Sequence, residues 1–376
     1  MKKYEVTELT QGELAQWDAL VDNSPHGTIF HKSGWLNTCA LSLGKTVKIF
    51  GCFHDGQLVG GVSLFLENTW GLFTRAFSWC ETAPYGGFII SPSPSTSVHK
   101  KESFSRDIIG SLLQAIEREH YLYVSIQNSP EFIDIRPFTW NGWDSRVSYA
   151  YYIHLKNYHE ANLDSSVKRY IRKAQKNGIT IEPYFEISGY YDLYCETYTR
   201  KNLQPPAPKS LFTGLYSFIR DNDCGEMIAA KTPDGDVAVA EIVVWDNHQA
   251  FSWTGVSDSR FLNSGASSLI MNDYLKRLRD RGIPKINIMM ANIPQLSSFA
   301  SYFNPVLVPS YEIRRRVVDS VRAMKNSRFL LVIPWMLLIF EAVLCETAVC
   351  SVMDQFGSFF EFLISGMPKT ITLNYF

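Results

Sequence analysis

Two stretches of this chain echo each other at long range: KIFGCFHDGQLVGGVSLFLE, around Asp55-Gly56, and EMIAAKTPDGDVAVAEIVVWD, around Asp234-Gly235. In each, two apolar runs flank a dipeptide whose residues tolerate positive φ, the pattern of a β-hairpin. Further elements recur around these hairpins. Residues 11–22, with Leu14, Trp17 and Leu20 at every third position, and FHKSGWLNTCALSLG, entered through Ser33, read as two helices before the first hairpin. Before the second come a basic helix in SSVKRYIRKAQKNGITIEPY, closed at Gly178, and a helix over residues 190–200 that ends before QPPAP. After the first hairpin, residues 73–79 read as an aromatic strand, 103–120 as an amphipathic helix and 122–127 as a buried strand. The helix over 264–281 and the strand over 285–290 mirror them, and a strand over 149–155 ends the first half. The order helix, helix, hairpin, strand, helix, strand thus occurs twice, and we read it as an internal duplication with its boundary near Tyr158. The expected fold is α/β, with α+β-type mixed sheets, in two tandem domains of residues 1–157 and 158–318 and a tail of residues 319–376.

Composition agrees with two domains, because 376 residues with 46% hydrophobic content exceed one core of ordinary size. A formal net charge of -1 excludes a chain that holds DNA by bulk charge, so a polyanion can only meet a local patch. The seven cysteines are odd in number and never spaced as C-x-x-C, and the eight histidines do not cluster at ligand spacing, so neither a disulfide framework nor a metal site is expected. The sequence has no H-E-x-x-H, G-x-S-x-G or P-loop motif. The start, MKKYEVTELTQGELAQW, lacks the apolar run of a signal peptide, which places the expected location in the cytoplasm. The tail segment KNSRFLLVIPWMLLIFEAVLC is free of charge from Phe329 to Phe340 and follows a basic run. It is shorter than the ~20 residues of a spanning helix, and Glu341 and Glu346 are costly in lipid. A helix in the membrane interface, a helix docked on protein and a true span all remain open readings.

Residues 260–282 carry the first chemical signal. A loop with Asn263, Ser264 and Gly265 opens a helix whose first turn holds only small side chains. Such a turn exposes backbone N–H groups at the positive end of the helix dipole, where a pyrophosphate can sit; an ordinary capped helix start uses the same residues. Glu241 is the second signal, since it interrupts an apolar strand where desolvation would raise its pKa toward that of a useful base. A paired carboxylate on the opposite face is the competing reading.

The duplicated order, and its second copy above all, resembles the Gcn5-related N-acetyltransferase superfamily and, within it, the double-domain FemAB-like branch. The resemblance runs from Trp17 to Arg314 and rests on DGDVAVAEIVVW, SDSRFLNSGASSLI, INIMMANIP, FASYFNP and IRKAQKNGI, in that family's order. That branch includes aminoacyltransferases of peptidoglycan cross-bridges and acyltransferases of glycan assembly. The superfamily's carrier loop reads R/Q-x-x-G-x-G/A, whereas residues 260–266 are one residue longer and lack the first glycine. Phe299-Ala300 stands where the peptidoglycan branch carries Phe-Lys, which argues against a lipid II acceptor.

The resemblance implies two acetyltransferase-like domains with a hydrophobic helical tail, and an acyl carrier entering between parted strands, here 237–245 and 249–256. It implies acyl-CoA held by Arg260, Asn263, Ser264, Gly265, Ala266 and Ser267, with Glu241 as base and Tyr302 near the place of a leaving-group acid. Asn292 would orient substrate, and Arg169, Arg172 and Lys173 would meet a phosphate-bearing acceptor or a tRNA acceptor stem. Trp35, Tyr85 and Gly86 would line an acceptor groove in the first domain, whose own helix start, HKKESFSRDIIG, is too bulky and charged to cradle phosphate. Packing or turn formation accounts for Trp35, Asn292 and Tyr302 as well. The expected activity is acyl transfer from acyl-CoA to an amine or hydroxyl of a sugar, lipid-linked sugar or cell-envelope glycan precursor, without a metal. The alternatives are transfer from aminoacyl-tRNA to a peptidoglycan precursor and a non-catalytic subunit of glycan assembly. The expected site of action is the cytoplasm, with the tail as a means of reaching the inner face of the cell membrane.

Overall fold

The computed structural model describes residues 4–69, 73–200 and 202–316; the apolar tail lies outside the described residues. The first copy comprises β1 (Tyr4–Glu8), α1 (Leu14–Asn23), α2 (Ser33–Leu43), β2 (Thr46–His54), β3 (Gln57–Thr69), β4 (Phe73–Phe77), β5 (Ile89–Ile90), α3 (Val98–Arg118), β6 (Tyr123–Gln127), α4 (Arg136–Trp140) and β7 (Asp144–His154). A connecting helix, α5 (Ser165–Lys176), leads into the second copy. That copy comprises β8 (Thr180–Pro183), α6 (Ile187–Thr199), α7 (Lys209–Asp221), β9 (Gly225–Lys231), β10 (Val237–Trp245), β11 (Ala250–Ser257), α8 (Ala266–Asp280), β12 (Lys285–Asn287), α9 (Pro294–Ser301) and β13 (Val306–Arg316).

Both expected hairpins form, with Asp55 at φ 50° and Gly56 and Gly235 also at positive φ, the conformation their turns require. The sequence reading assigned no element to residues 209–221, where helix α7 buries Leu211, Phe212, Leu215, Tyr216 and Ile219 on one face, and the expected strand 285–290 ends at Asn287. With α7 in place, α1 and α2 match α6 and α7, and the basic helix α5 becomes a connector outside the repeat.

All strands join one mixed sheet, in the order β1-β2-β3-β4-β6-β13-β7-β12-β11-β10-β9-β8, with β5 beside β3. Each copy contributes an antiparallel meander followed by a parallel crossover strand, β4 to β6 and β11 to β12. The last strand of each copy crosses to the other: β13 lies between β6 and β7, while β7 lies between β13 and β12. The β7–β13 ladder runs nine residues, from Val306↔Tyr152 to Arg314↔Asp144, and it welds the copies at the centre of the sheet.

Three cores follow. One lies under α3 and one under α8, while the third lies on the opposite face and draws residues from both copies. In that shared core, Phe30 meets Phe251 at 4.8 Å and Trp35 meets Trp253 at 5.0 Å, edge to face. Such pairs contribute about 0.5–1.5 kcal/mol each beyond area burial. The shared seam also holds His31, fully buried with Nδ1 beside the Thr28 hydroxyl, while His26 packs on Phe132 of the core under α3. Burial pushes both imidazoles down to about 4.

Between about pH 6.5 and 4 the unfolded histidines bind protons that the folded ones refuse, so stability falls as pH drops through this window. We expect equilibrium unfolding at pH 7.5, 6 and 5 to show this loss, and His31→Asn to reduce its slope by about one proton. A slope unchanged by the substitution would mean that His31 is protonated in the folded protein.

Candidate active site

From Val239 onward strand β10 alternates: Ala240, Ile242 and Val244 enter the shared core, while Val239, Val243 and Trp245 enter the core under α8. Glu241 therefore points toward α8, where only 6% of it is exposed. Its Oε1 accepts a 2.5 Å hydrogen bond from the Ser252 hydroxyl on β11. Desolvation raises its pKa to about 7, and the Ser252 bond holds it from rising further. Tyr274, fully buried on α8, belongs to the same group: burial raises the pKa of its hydroxyl, the Glu241 charge adds to that, and the Ser252 hydroxyl opposes it. Gly255 stands directly opposite Glu241 in the β10–β11 ladder and is exposed. A Cβ there would lie 2.2 Å from Glu241 Oε2, so the carboxylate occupies the space that a side chain on β11 would fill.

The parting of strands differs from expectation. Residues 237–245 and 249–256 stay paired from Val239↔Ser257 to Trp245↔Ala250, with a bulge that leaves Trp253 as the extra residue. The strands that part are β11 and β12, joined only by Ala250↔Ile286 and Phe251↔Asn287. After Asn287 the chain follows β7 for one more residue, Ile288 N–H donating to the Tyr151 carbonyl. Met289 then turns away at φ 55°, with its N–H on Asn287 Oδ1 at 2.9 Å. Residues 252–257 of β11 keep β10 on one side and, among the described residues, no strand on the other. The sequence had shown the right copy but the wrong pair, because a dipeptide turn near Asp246 is as compatible with parting strands as with a tight hairpin.

The corresponding place in the first copy is closed. Ser78 N–H donates to the Ser125 carbonyl at 2.9 Å, Gln127 N–H to Ser78 Oγ at 2.8 Å, and Phe88 N–H to Asn128 Oδ1 at 3.0 Å. Gly86 fits there because a Cβ would lie 1.7 Å from the Ser78 carbonyl oxygen. The segment around Tyr85 and Gly86 thus fills the first copy's seam, and the Tyr85 hydroxyl accepts from Asn287 Nδ2 at 3.1 Å. Trp35 has no exposed surface and packs between Phe30, Phe218 and Trp253.

At the start of α8, Gly265 is in the left-handed region at φ 89°. A Cβ at Gly265 would meet the Tyr170 carbonyl oxygen of α5 at 2.2 Å, so glycine serves both the turn and the close approach of two helices. Ala266 N–H turns back to Ser264 Oγ at 3.2 Å, and the next amides, of Ser267 and Ser268, lie in the first helical turn, where no intrahelical acceptor exists. Lys173 Nζ reaches the exposed Asn263 carbonyl at 2.6 Å and ties α5 to this loop. The Arg260 guanidinium is engaged by Asp258 at 2.7 Å and Asp236 at 3.2 Å, and it holds the Asp258 carboxyl below the usual range.

The remaining candidates lie apart from Glu241. Asn292 exchanges both amide hydrogen bonds with the Tyr149 backbone, at 2.9 and 2.7 Å, and so takes the ladder place that β12 vacates. Tyr302 closes α9, half-exposed, with its carbonyl accepting from Asp164 N–H. Arg169 and Arg172 project from the outer side of α5. Sequence reading missed Ser252, Gly255 and Tyr274. Of these, only the isolated glycine within FSWTGVS left a mark, as a glycine inside a strand signals a close approach.

Residues 161–294 match the acetyltransferase (GNAT) domain family. No curated protein sequence matches the chain. Among solved structures, FemX is similar with a TM-score of 0.63 at 12% identity, over 82% of this chain and 96% of its own. The L-PGS of Bacillus licheniformis gives 0.54 at 13%, over 89% and 97%. A tandem GNAT protein of the clavulanic acid biosynthesis pathway gives 0.50 at 9%, over 84% and 98%. At these identities the likeness is one of fold. Residues 161–294 thus match a GNAT acetyltransferase domain, and the chain has the fold of FemX and of the tandem GNAT protein.

Proposed function

We propose that this chain is an acyltransferase that moves an acyl group from acyl-CoA to an amine of a sugar or cell-envelope glycan precursor by direct attack. The observation that carries this reading is Glu241: a buried carboxyl with a pKa of about 7, lying over an exposed glycine on the strand whose far edge is unpaired. An attacking ammonium must lose a proton, and a base titrating near neutral pH is matched to that task. Ser252 holds Oε1, which leaves Oε2, over Gly255, as the oxygen placed to accept the proton.

The open edge of β11 and the start of α8 suit an extended thioester arm ending in phosphates. The edge offers backbone donors and acceptors without a ladder partner, and the first-turn amides of α8 lack internal acceptors. Acyl-CoA supplies the thioester carbonyl, and backbone donors on the edge are suited to the oxyanion that attack creates. Arg260 fits less well, since two carboxylates already hold it; Lys173, beside the same loop, is the better cation for phosphate. Tyr302, distant from the Glu241 group in its contacts, has a packing role in this reading. The cytoplasm, where acyl-CoA is available, is the matching location.

Glu241→Gln is expected to lower kcat/KM by about 10²–10⁴-fold, the usual range for a general base. The wild-type rate should rise through about pH 7, and Ser252→Ala should move that limb upward, since Ser252 stabilises the carboxylate. A Gln variant as active as wild type would remove Glu241 from the chemistry.

The same group affects stability. Between about pH 4.5 and 7 the unfolded chain releases the Glu241 proton while the folded chain keeps it. Its contribution is therefore present below pH 4.5 and lost as pH rises through 7, so wild type should lose stability relative to Glu241→Gln across this window in urea titrations.

The donor is tested by supplying acyl-CoA or aminoacyl-tRNA separately, with amino-sugar acceptors. Turnover with acyl-CoA is expected. Turnover only with charged tRNA would replace the donor in this reading, and no thermal shift or turnover with either would favour a non-catalytic subunit.

A further inference from the structure

Helix α5 presents a charge pattern of which the acyl-transfer reading uses only Lys173. Val167, Ile171 and Ala174 face the core under α8. Arg169, Arg172, Lys173 and Lys176 recur at i, i+3, i+4 and i+7, which places them on one outer stripe. Among the described residues, none of the four has a carboxylate within 4 Å. The nearby acids are engaged elsewhere: Glu160 with Lys276, Asp258 and Asp236 with Arg260, and Asp164 as the N-cap of α5 itself, on Ser166 N–H.

Exposed apolar groups flank this stripe. On one side the Lys173–Asn263 bond fixes the α8 entry loop against α5, and the neighbouring Leu262 is 56% exposed. On the other, Asp164 N–H donates to the Tyr302 carbonyl, which brings the end of α9, with the half-exposed Tyr302, against the start of α5. Cations without a carboxylate partner among the described residues, bordered by the protruding Leu262 and Tyr302, match the headgroup and acyl boundary of an anionic bilayer.

We propose that α5, with the α8 entry loop and α9 beside it, docks this protein on an anionic lipid surface. RNA fits less well. Its single strands are held by aromatic platforms, and the ring beside the stripe, Tyr170, is already covered by the Arg169 guanidinium at 5.5 Å. Beyond it, Leu262 is aliphatic and Tyr302 is a single half-exposed ring, not a row of stacking platforms. This docking face borders the start of α8, so a membrane-held substrate would meet the protein on the side where the second copy opens. The proposal rests on charge and exposure, not on the identity of donor or acceptor.

The test is sedimentation of the full chain with phosphatidylcholine vesicles, with and without about one third phosphatidylglycerol, each surface cation contributing roughly fivefold to partitioning. Wild type should bind the anionic vesicles and not the neutral ones. Arg172→Glu/Lys176→Glu should weaken binding at least tenfold, and Leu262→Ser severalfold with an unchanged salt dependence. All are surface substitutions, and unchanged melting temperatures would show that the variants remain folded. Failure of wild type to bind anionic vesicles, or binding of the double variant equal to wild type, would overturn the proposal. So would tighter binding to an RNA hairpin that the same variants abolish while vesicle binding is absent.

Discussion

Because β13 lies between β6 and β7, neither copy of this chain completes its sheet alone, and every feature of the candidate site depends on that exchange. The central β7–β13 ladder supplies backbone partners to both crossover strands. It lets β12 be only three residues long, since Ile288 and Asn292 continue its bonds to β7 by other means. A short β12 leaves half of β11 with, among the described residues, no strand on the side away from β10. In the first copy the same geometry is sealed by Ser78 and by the segment carrying Gly86, where the absence of side chains permits a fit too close for any other residue. Two copies of one pattern have thus become one filled seam and one open one.

The chemistry at the open seam follows from a balance of solvation and hydrogen bonding. Glu241 loses water on entering the core under α8, which favours the neutral acid, and it recovers part of the charged form's stability from one hydroxyl. The result near neutrality differs from the fate of Asp258, equally little exposed, whose hydrogen bonds with Arg260 hold its carboxyl below the ordinary range. Two carboxylates on neighbouring elements of one copy are thereby set to opposite protonation behaviour by their surroundings. The arginine that the carrier-loop motif singles out is, by the same balance, the counter-ion of Asp258.

Much of the architecture was legible in the residues. Both Asp-Gly turns, the apolar runs beside them and the helices α1, α2, α3, α6 and α8 were written in local periodicity and turn chemistry, which act over a few residues. Helix α7 received no assignment although its apolar spacing is clear, since the residues between QPPAP and the second hairpin were left unread. Glu241 stood out as a charge in an apolar strand. Its partners did not, since Ser252 and Tyr274 are ordinary residues whose meaning lies in where the sheet and α8 bring them.

The sequence by itself determined the duplicated element order, the copy that carries the small-residue helix start and the one carboxylate placed to be desolvated. These are properties of short windows, where side-chain period, φ preference and charge suffice. Only the tertiary structure decided that the last strands are exchanged, that β11 and β12 rather than β10 and β11 part, and that Gly265 is shaped by the approach of α5. Each of these depends on which distant backbones share a ladder or a helix contact. Ladder bonds are made by main-chain groups that every residue possesses, so their partners leave no mark in the order of side chains.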